Sequence, residues 1–269
     1  MVLTQAEDFG AESEALYDVV RGLDDAGFRQ VTQFKGWTIE DVLLHLHFWN
    51  KAVDLSVENV DEFQRRAGGA VTALVEVGTM RNVEDSTISE RGEALREAWI
   101  SQVREMVPRW AAMDPKARLP WVGPSMSARS SMTARQMETW AHGMEVFDIL
   151  GVSRVEVDRV RNVVMLGVNT FGWSHQVHGL DVPEVMPWLE LTAPSGEVWS
   201  FGGDGTAGQI IGKAEEFAAV VTQARAVADT GLQVSGVVAE TWMAYAQCFA
   251  GPPNMPPRPG SRGVKSGKG

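Results

Sequence analysis

Thr133-Ala-Arg-Gln-Met-Glu138-Thr-Trp-Ala-His142-Gly-Met-Glu145-Val-Phe-Asp-Ile-Leu150-Gly151 decides the reading of this chain. The stretch predicts one helix from about Thr133 to Leu150, stopped at Gly151, a residue suited to the left-handed C-terminal cap. Glu138 and His142 stand four apart on it, so both side chains leave one face and can converge on a single ion. A carboxylate oxygen and an imidazole nitrogen suit zinc or another divalent first-row metal. Taken alone the pair is weak: chance supplies roughly 0.4 such pairs in a chain of this composition, and a surface or capping pair is then the better account.

The segments before it are helical too. Ala6 to Leu23 sets Phe9, Leu16, Val19, Val20 and Leu23 at three- and four-residue spacings, an amphipathic stripe. Gly36-Trp37-Thr38 opens a second helix, with Thr38 as N-cap, Asp41 as the reciprocal acid, and Val42, Leu43, Leu46, Trp49 and Val53 as apolar face. A third periodic stretch runs from about Ile88 to Met113 and ends at Asp114-Pro115. A Pro/Ser loop, Lys116 to Ser131, leads into the helix quoted above. His45 lies mid-helix among Val42, Leu43, Leu44, Leu46 and Trp49. In an antiparallel bundle it can reach the level of Glu138 and His142, giving a two-histidine, one-carboxylate site with an open position, the arrangement of a catalytic metal. A satisfied core histidine is the competing reading of His45. His47 points elsewhere, because residues two apart do not share a helix face.

Beyond it, a fifth helix is predicted from about Val155 to His178, and the pattern changes after Gly179. Trp188-Leu-Glu-Leu-Thr and Glu197-Val-Trp-Ser-Phe flank Ala193-Pro-Ser-Gly196 and read as a β-hairpin. A helix from Gln209 to Val227, a strand near Leu232 to Val234 and a helix from Val237 to Phe249 are expected to follow. Five prolines, four basic residues and no acid between Gly251 and Gly269 read as a disordered tail. The fold expected is mainly α: an up-down four-helix bundle over residues 1–155, a connecting helix at 156–180, a small α+β domain at 181–253 and a disordered basic tail at 254–269.

Composition limits the partners. The 269 residues carry 24 basic and 35 acidic side chains, a net charge of −11, which repels nucleic acid and anionic membranes alike. One cysteine, Cys248, excludes an internal disulfide framework and reads as a small buried hydrophobe rather than a nucleophile. The first residues are acidic where a signal peptide needs a basic start, and no run approaches the ~20 apolar residues that span a bilayer. A soluble, cytoplasmic protein is expected, and the sequence leaves its oligomeric state, a homodimer included, open.

Gly36-Trp37-Thr38-Ile-Glu-Asp41-Val-Leu-Leu-His45-Leu resembles the first metal-ligand motif of the DinB-like, mycothiol-dependent maleylpyruvate isomerase superfamily. Glu138-Thr-Trp-Ala-His142-Gly-Met-Glu145-Val-Phe-Asp-Ile-Leu-Gly151 resembles its second, and the likeness covers roughly residues 5 to 155. The resemblance implies that His45, Glu138 and His142 are metal ligands, usually of zinc. Trp37, Trp121 and Trp140 lie near that site or its loop and are expected to line a pocket, Trp37 and Trp140 as its cofactor-binding residues. Where Glu145 stands, the family often has aspartate. Ala193-Pro-Ser-Gly-Glu-Val-Trp-Ser-Phe-Gly, Val221-Thr-Gln223-Ala-Arg225 and Ala246-Gln-Cys-Phe-Ala-Gly-Pro-Pro253 are similar to a C-terminal segment of actinobacterial relatives named for wyosine base formation; at net charge −11 no tRNA function follows.

What the resemblance implies is an isomerase or transferase using mycothiol as cofactor, its thiolate stabilised on a divalent metal and adding to an electrophilic small molecule. Lys116, Arg118, Arg129 or Arg225, the last the catalytic candidate, would meet a substrate carboxylate. Two other readings keep the metal: hydrolysis or hydration by metal-bound water, or a non-catalytic binding module. Gly203-Asp-Gly205-Thr-Ala-Gly208 matches the dinucleotide fingerprint letter for letter, yet it follows a hairpin arm and reads better as a turn. His175 and His178 are a second, weaker metal pair, for which a polar helix end is the plainer account.

Overall fold

A computed structural model describes residues 2–67, 80–121 and 124–264. Gly123, in the loop expected between Lys116 and Ser131, and the last five residues of the tail lie outside these. The chain divides into two compact units, Met1–Ile149 and Leu150–Gly269.

The first unit is built on four long helices: α1 (Thr4–Val20), α3 (Ile39–Glu58), α5 (Gly92–Ala111) and α6 (Ala128–Leu150). Two short ones, α2 (Asp25–Phe28) and α4 (Met80–Thr87), lie in the connections, and residues 60–67 are helical as well. Side-chain bonds give the directions. Leu3 N–H donates to the Ala111 carbonyl and Arg104 pairs with Glu14, so α1 and α5 are antiparallel. Glu40 accepts from Gly92 N–H near the start of α3, and Asp54 accepts from Trp110 Nε1 (2.9 Å) near its end, so α3 and α5 run parallel. Asn50 meets Arg135 while His45 meets Glu138, so α3 and α6 are antiparallel. The four long helices therefore run up, down, down, up.

The predicted apolar faces form its core: Phe9, Leu16, Leu43, Leu46, Trp99 and Trp110 are each at most 1% exposed. Burying each such side chain contributes about 1.5–3 kcal/mol before entropy is counted. Thr38 and Asp41 close the expected capping box at the start of α3, Thr38 Oγ1 accepting from Asp41 N–H (3.1 Å) and Asp41 Oδ2 from Thr38 N–H (2.8 Å). The Pro/Ser loop holds a two-stranded ribbon, β1 (Arg118–Leu119) against β2 (Met126–Ser127).

In the second unit the helix expected over 155–178 is broken. Residues 158–160 form a 3-10 turn, α7 spans Arg161–Asn169 and α8 spans Phe171–Val177. At the break the Thr170 hydroxyl bonds back to the Leu166 carbonyl (2.7 Å), as β-branched hydroxyl residues do where a helix falters. The hairpin is as predicted, β3 (Trp188–Thr192) with β4 (Val198–Phe201). β3 alternates, Leu189 and Leu191 fully buried and Glu190 and Thr192 exposed.

The helix expected from Gln209 starts late. Gln209–Lys213 is strand β5, parallel to β3, and only Ala214–Val221 is helical (α9). Pairing the Ile210-Ile211 segment inside a sheet outweighs its fit to a helical pattern. β6 (Gln233–Ser235) pairs antiparallel with β5, giving the order β4-β3-β5-β6, and α10 (Val237–Tyr245) follows. The fingerprint glycines lie between β4 and β5, ahead of a strand and not a helix. A Cβ on Gly208 would come within 2.3 Å of the Ser235 carbonyl oxygen, so backbone crowding accounts for the glycine there.

The tail is ordered through residue 264, contrary to the expectation for 254–269. Asn254 exchanges hydrogen bonds with Gln223 and Gln247, Gly260 N–H donates to Asp229, and Arg262 donates to the Gln223 carbonyl (2.7 Å). Prolines lower the entropy lost on ordering, and buried glutamines supply the partners that composition does not reveal.

Candidate metal centre

Three of the predicted residues come together in the first unit. One potential ligand atom from each of His45, Glu138 and His142 lies within 4.8 Å of the others. His45 Nε2 is 3.5 Å and His142 Nε2 is 3.4 Å from Glu138 Oε2. The Glu138 side chain is 25% exposed, His45 15% and His142 11%, so the cluster is mostly enclosed and open on the carboxylate's side.

Each imidazole has a carboxylate behind it. His45 Nδ1 bonds to Glu84 Oε1 at 2.8 Å, and His142 Nδ1 lies 3.4 Å from Glu145 Oε2. A carboxylate only accepts, so each Nδ1 carries a hydrogen, and Nε2 is the atom through which either ring would bind a metal. Glu84 also accepts from Trp49 Nε1 (3.0 Å) and lies 3.6 Å from Arg81. Arg81 pairs with Asp41 and Asp85 as well. The same Asp41 that caps α3 thus helps hold the carboxylate behind His45.

The aromatic surroundings come from the turn before α3. Lys35 and Gly36 both take positive φ (50° and 73°), which swings Trp37 over the site. Trp37 stacks on His142 at 5.5 Å and 15°, and Phe34 meets the same ring edge-on at 5.0 Å. Trp140, the second tryptophan expected to line a pocket, is fully buried and belongs to the core, since it leaves α6 on another face from Glu138 and His142.

The charges fit a cation. Burial alone would raise the Glu138 pKa, but hydrogen bonds and charge from His142 and His45 hold it well below the usual carboxylate range. Burial would lower His142; the Glu145 charge and the bonds to Glu138 and Glu145 overcome this and raise it to about 10. Without a metal, a proton thus takes the cation's place. His47 points away as expected, buried, its pKa lowered to about 4 by desolvation and then by Lys51.

The other candidates are not members of this three-residue cluster. Arg225 belongs to the second unit, where it donates to the Ala224 carbonyl (3.0 Å). Arg118 is spent on Ser125, and Lys116 and Arg129 are exposed. His175 Nδ1 donates to the Phe171 carbonyl (2.9 Å) and His178 packs against Tyr245; among the described residues no third ligand joins them. Cys248 is buried. Glu84, Arg81, Phe34 and the buried Asn50–Arg135 pair are absent from the sequence reading, because only the need of His45 for an acceptor points to Glu84, and 35 acids could meet it.

Comparisons with known proteins give the family and the fold. Residues 9–147 match the model of the mycothiol maleylpyruvate isomerase N-terminal domain. An uncharacterized protein of Mycobacterium tuberculosis, matched in strains CDC 1551 and H37Rv, is 36% identical over 251 residues, covering 91% of this chain and 95% of the relative. The crystal structure of a mycothiol-dependent maleylpyruvate isomerase superposes with a TM-score of 0.55 at 15% identity, over 87% of this chain and 93% of that one. A histidine-to-alanine mutant of that enzyme superposes with a TM-score of 0.52, again at 15% identity over 87% and 93% of the two chains. Among the described residues no helix is long and apolar enough to cross a membrane. With a DinB-like bundle, a small α+β unit following it in the chain and a family match over its first half, the chain belongs to the mycothiol maleylpyruvate isomerase N-terminal domain family.

Proposed function

We propose that this protein is a metal-dependent enzyme that activates a small-molecule thiol, mycothiol, for attack on an electrophilic substrate, as an isomerase or transferase. One observation carries the reading: His45, Glu138 and His142 converge, and a carboxylate stands behind each histidine. Two imidazoles and one carboxylate suit zinc and leave room for a further ligand. When bound, the cation supplies the positive charge that makes a thiol acidic at neutral pH.

The chain's own residues do the rest. Glu84 and Glu145 hold the two rings in the donor tautomer and keep their Nε2 atoms aimed inward. Trp37 and Phe34 cover His142 and exclude water from that side, which strengthens every charge interaction beneath them. The protein's one cysteine is buried in the second unit, so the sulfur comes from solution.

The test is reconstitution of the full chain with cobalt, followed by mycothiol titration. The expected result is one metal per chain and a shift of the cobalt absorption bands on thiol addition. Bands that ignore mycothiol, together with thiol-free turnover of ester or amide substrates, would replace this reading by hydrolysis. Absence of stoichiometric metal would remove both.

A further inference from the structure

The stretch Pro252-Pro253-Asn254-Met255-Pro256-Pro257-Arg258-Pro259 belongs to the second unit and has neither helix nor strand over 253–258. Proline fixes its own φ at about −65° and keeps the residue before it out of the helical region. Every residue of the stretch except Asn254 is a proline or directly precedes one. That composition favours a polyproline II path, three residues to the turn.

Contacts with the body follow the same period of three. Asn254 bonds to the buried Gln223 and Gln247, Pro257 is half-buried, and Gly260 N–H donates to Asp229 (2.8 Å). Pro252, Met255 and Arg258 make a second ridge, and Pro253, Pro256 and Pro259 a third. Pro256 is half-buried and the other five are exposed, Met255 at 62%. The Arg258 guanidinium forms no ion pair among the described residues, in a chain of net charge −11.

We propose that this strap is a docking ridge for a partner protein whose groove carries two slots walled by aromatic rings and a carboxylate beyond them. Pro252-Pro253 and Met255-Pro256 fill the slots, and Arg258 meets the acid. Aromatic faces pack well on proline rings, and a preformed polyproline II strand loses little entropy on binding. A groove that reads pairs three residues apart leaves Asn254 and Pro257 unread, and these are the two residues turned to the body. Anchors at Asn254, Gly260 and Arg262 hold the strap, so its ordering cost falls on folding and not on association. Residues 251–264 carry two arginines and no acid, so an acidic groove is drawn to this stretch and repelled by the chain's net charge elsewhere. Binding here needs no metal.

The probe is a purified SH3 domain that accepts Pro-x-x-Pro-x-Arg ligands, isotope-labelled and titrated with the full chain. Resonance shifts confined to the domain's aromatic groove and acidic loop are expected. Arg258→Glu and Pro256→Ala should each weaken binding at least about tenfold, and Asn254→Ala, which frees the strap, about threefold. Circular dichroism should show all three variants folded; if Pro256→Ala is not, Arg258→Glu decides. No shifts with wild type, or equal affinity in Arg258→Glu, overturns the docking ridge. Tighter binding by Asn254→Ala overturns it as well, because the domain would then be taking a strap that has left the body. Sedimentation of the chain alone covers the remaining occupant: self-association abolished by Arg258→Glu would assign the ridge to a second copy and overturn the proposal.

Discussion

Glu84 Oε1 accepts one hydrogen bond from His45 Nδ1 at 2.8 Å and another from Trp49 Nε1 at 3.0 Å, and so fixes the ring that faces Glu138. Removing such a partner typically costs about 10–100-fold in metal affinity while the ligands themselves stay in place. Glu84→Gln, which keeps an acceptor but loses the charge, should weaken zinc binding about tenfold. Glu84→Ala should weaken it further, and competition with a chromophoric chelator reads both. Unchanged affinity in Glu84→Ala would mean that His45 needs no support.

His45→Ala and His142→Ala should each lower metal content well below one per chain without unfolding the bundle. Elemental analysis and circular dichroism check this together. Stoichiometric metal in both variants would locate the ion elsewhere, with His175 and His178 the next pair to substitute.

Metal uptake should release a proton. His142 is held protonated to about pH 10 in the metal-free chain, so an entering cation must displace that proton. At pH 7 about one proton per zinc is expected, and affinity should fall about tenfold for each further pH unit toward acid. Calorimetry in buffers of different ionisation heat measures the number directly; heats independent of buffer would contradict it.

The same pair sets the stability of the metal-free chain. His142 has its pKa raised from 6.5, so its contribution is complete below 6.5 and is lost as pH rises through about 10. Glu138 is depressed below 4.5, so its contribution is present above 4.5 and is lost as pH falls through the lowered value. The melting temperature of chelator-treated protein should therefore be highest between about pH 4.5 and 6.5, as far as this pair governs it. A monotonic rise up to pH 9 would show that other groups dominate.

Gln223→Ala should release the tail. Its side-chain amide donates to the Ala246 and Asn254 carbonyls (2.9 and 2.7 Å) and its oxygen accepts from Asn254 (2.6 Å). Losing a buried partner of this kind costs about 1–3 kcal/mol. Limited proteolysis should then cut between residues 254 and 264 well before the rest of the second unit, which wild type should resist.

Much of this was legible in the residues. Apolar spacing places α1, α3, α5 and α6, the Thr38 box marks the start of α3, and Leu189 and Leu191 alternate as a half-buried strand must. Glu138 and His142 are a local pair, readable at helical spacing, and the family motif adds His45. Illegible were features decided by distant neighbours. Gln209–Lys213 is a strand because β3 and β6 accept it, and the tail is ordered because Gln223 and Gln247 wait for it. Glu84 and Arg135 matter only through side chains 39 and 85 positions away, across helices whose facing no periodicity specifies.

The ligands contributed by α3 and α6 lie 93 positions apart in the chain, from His45 to Glu138. The ligands of α3 and α6 therefore meet only after a slow, long-range closure. A cation is therefore expected to find no half-formed cage in the collapsing chain. Zinc should leave the refolding rate unchanged and slow unfolding alone, acting on this protein as a latch and not as a template.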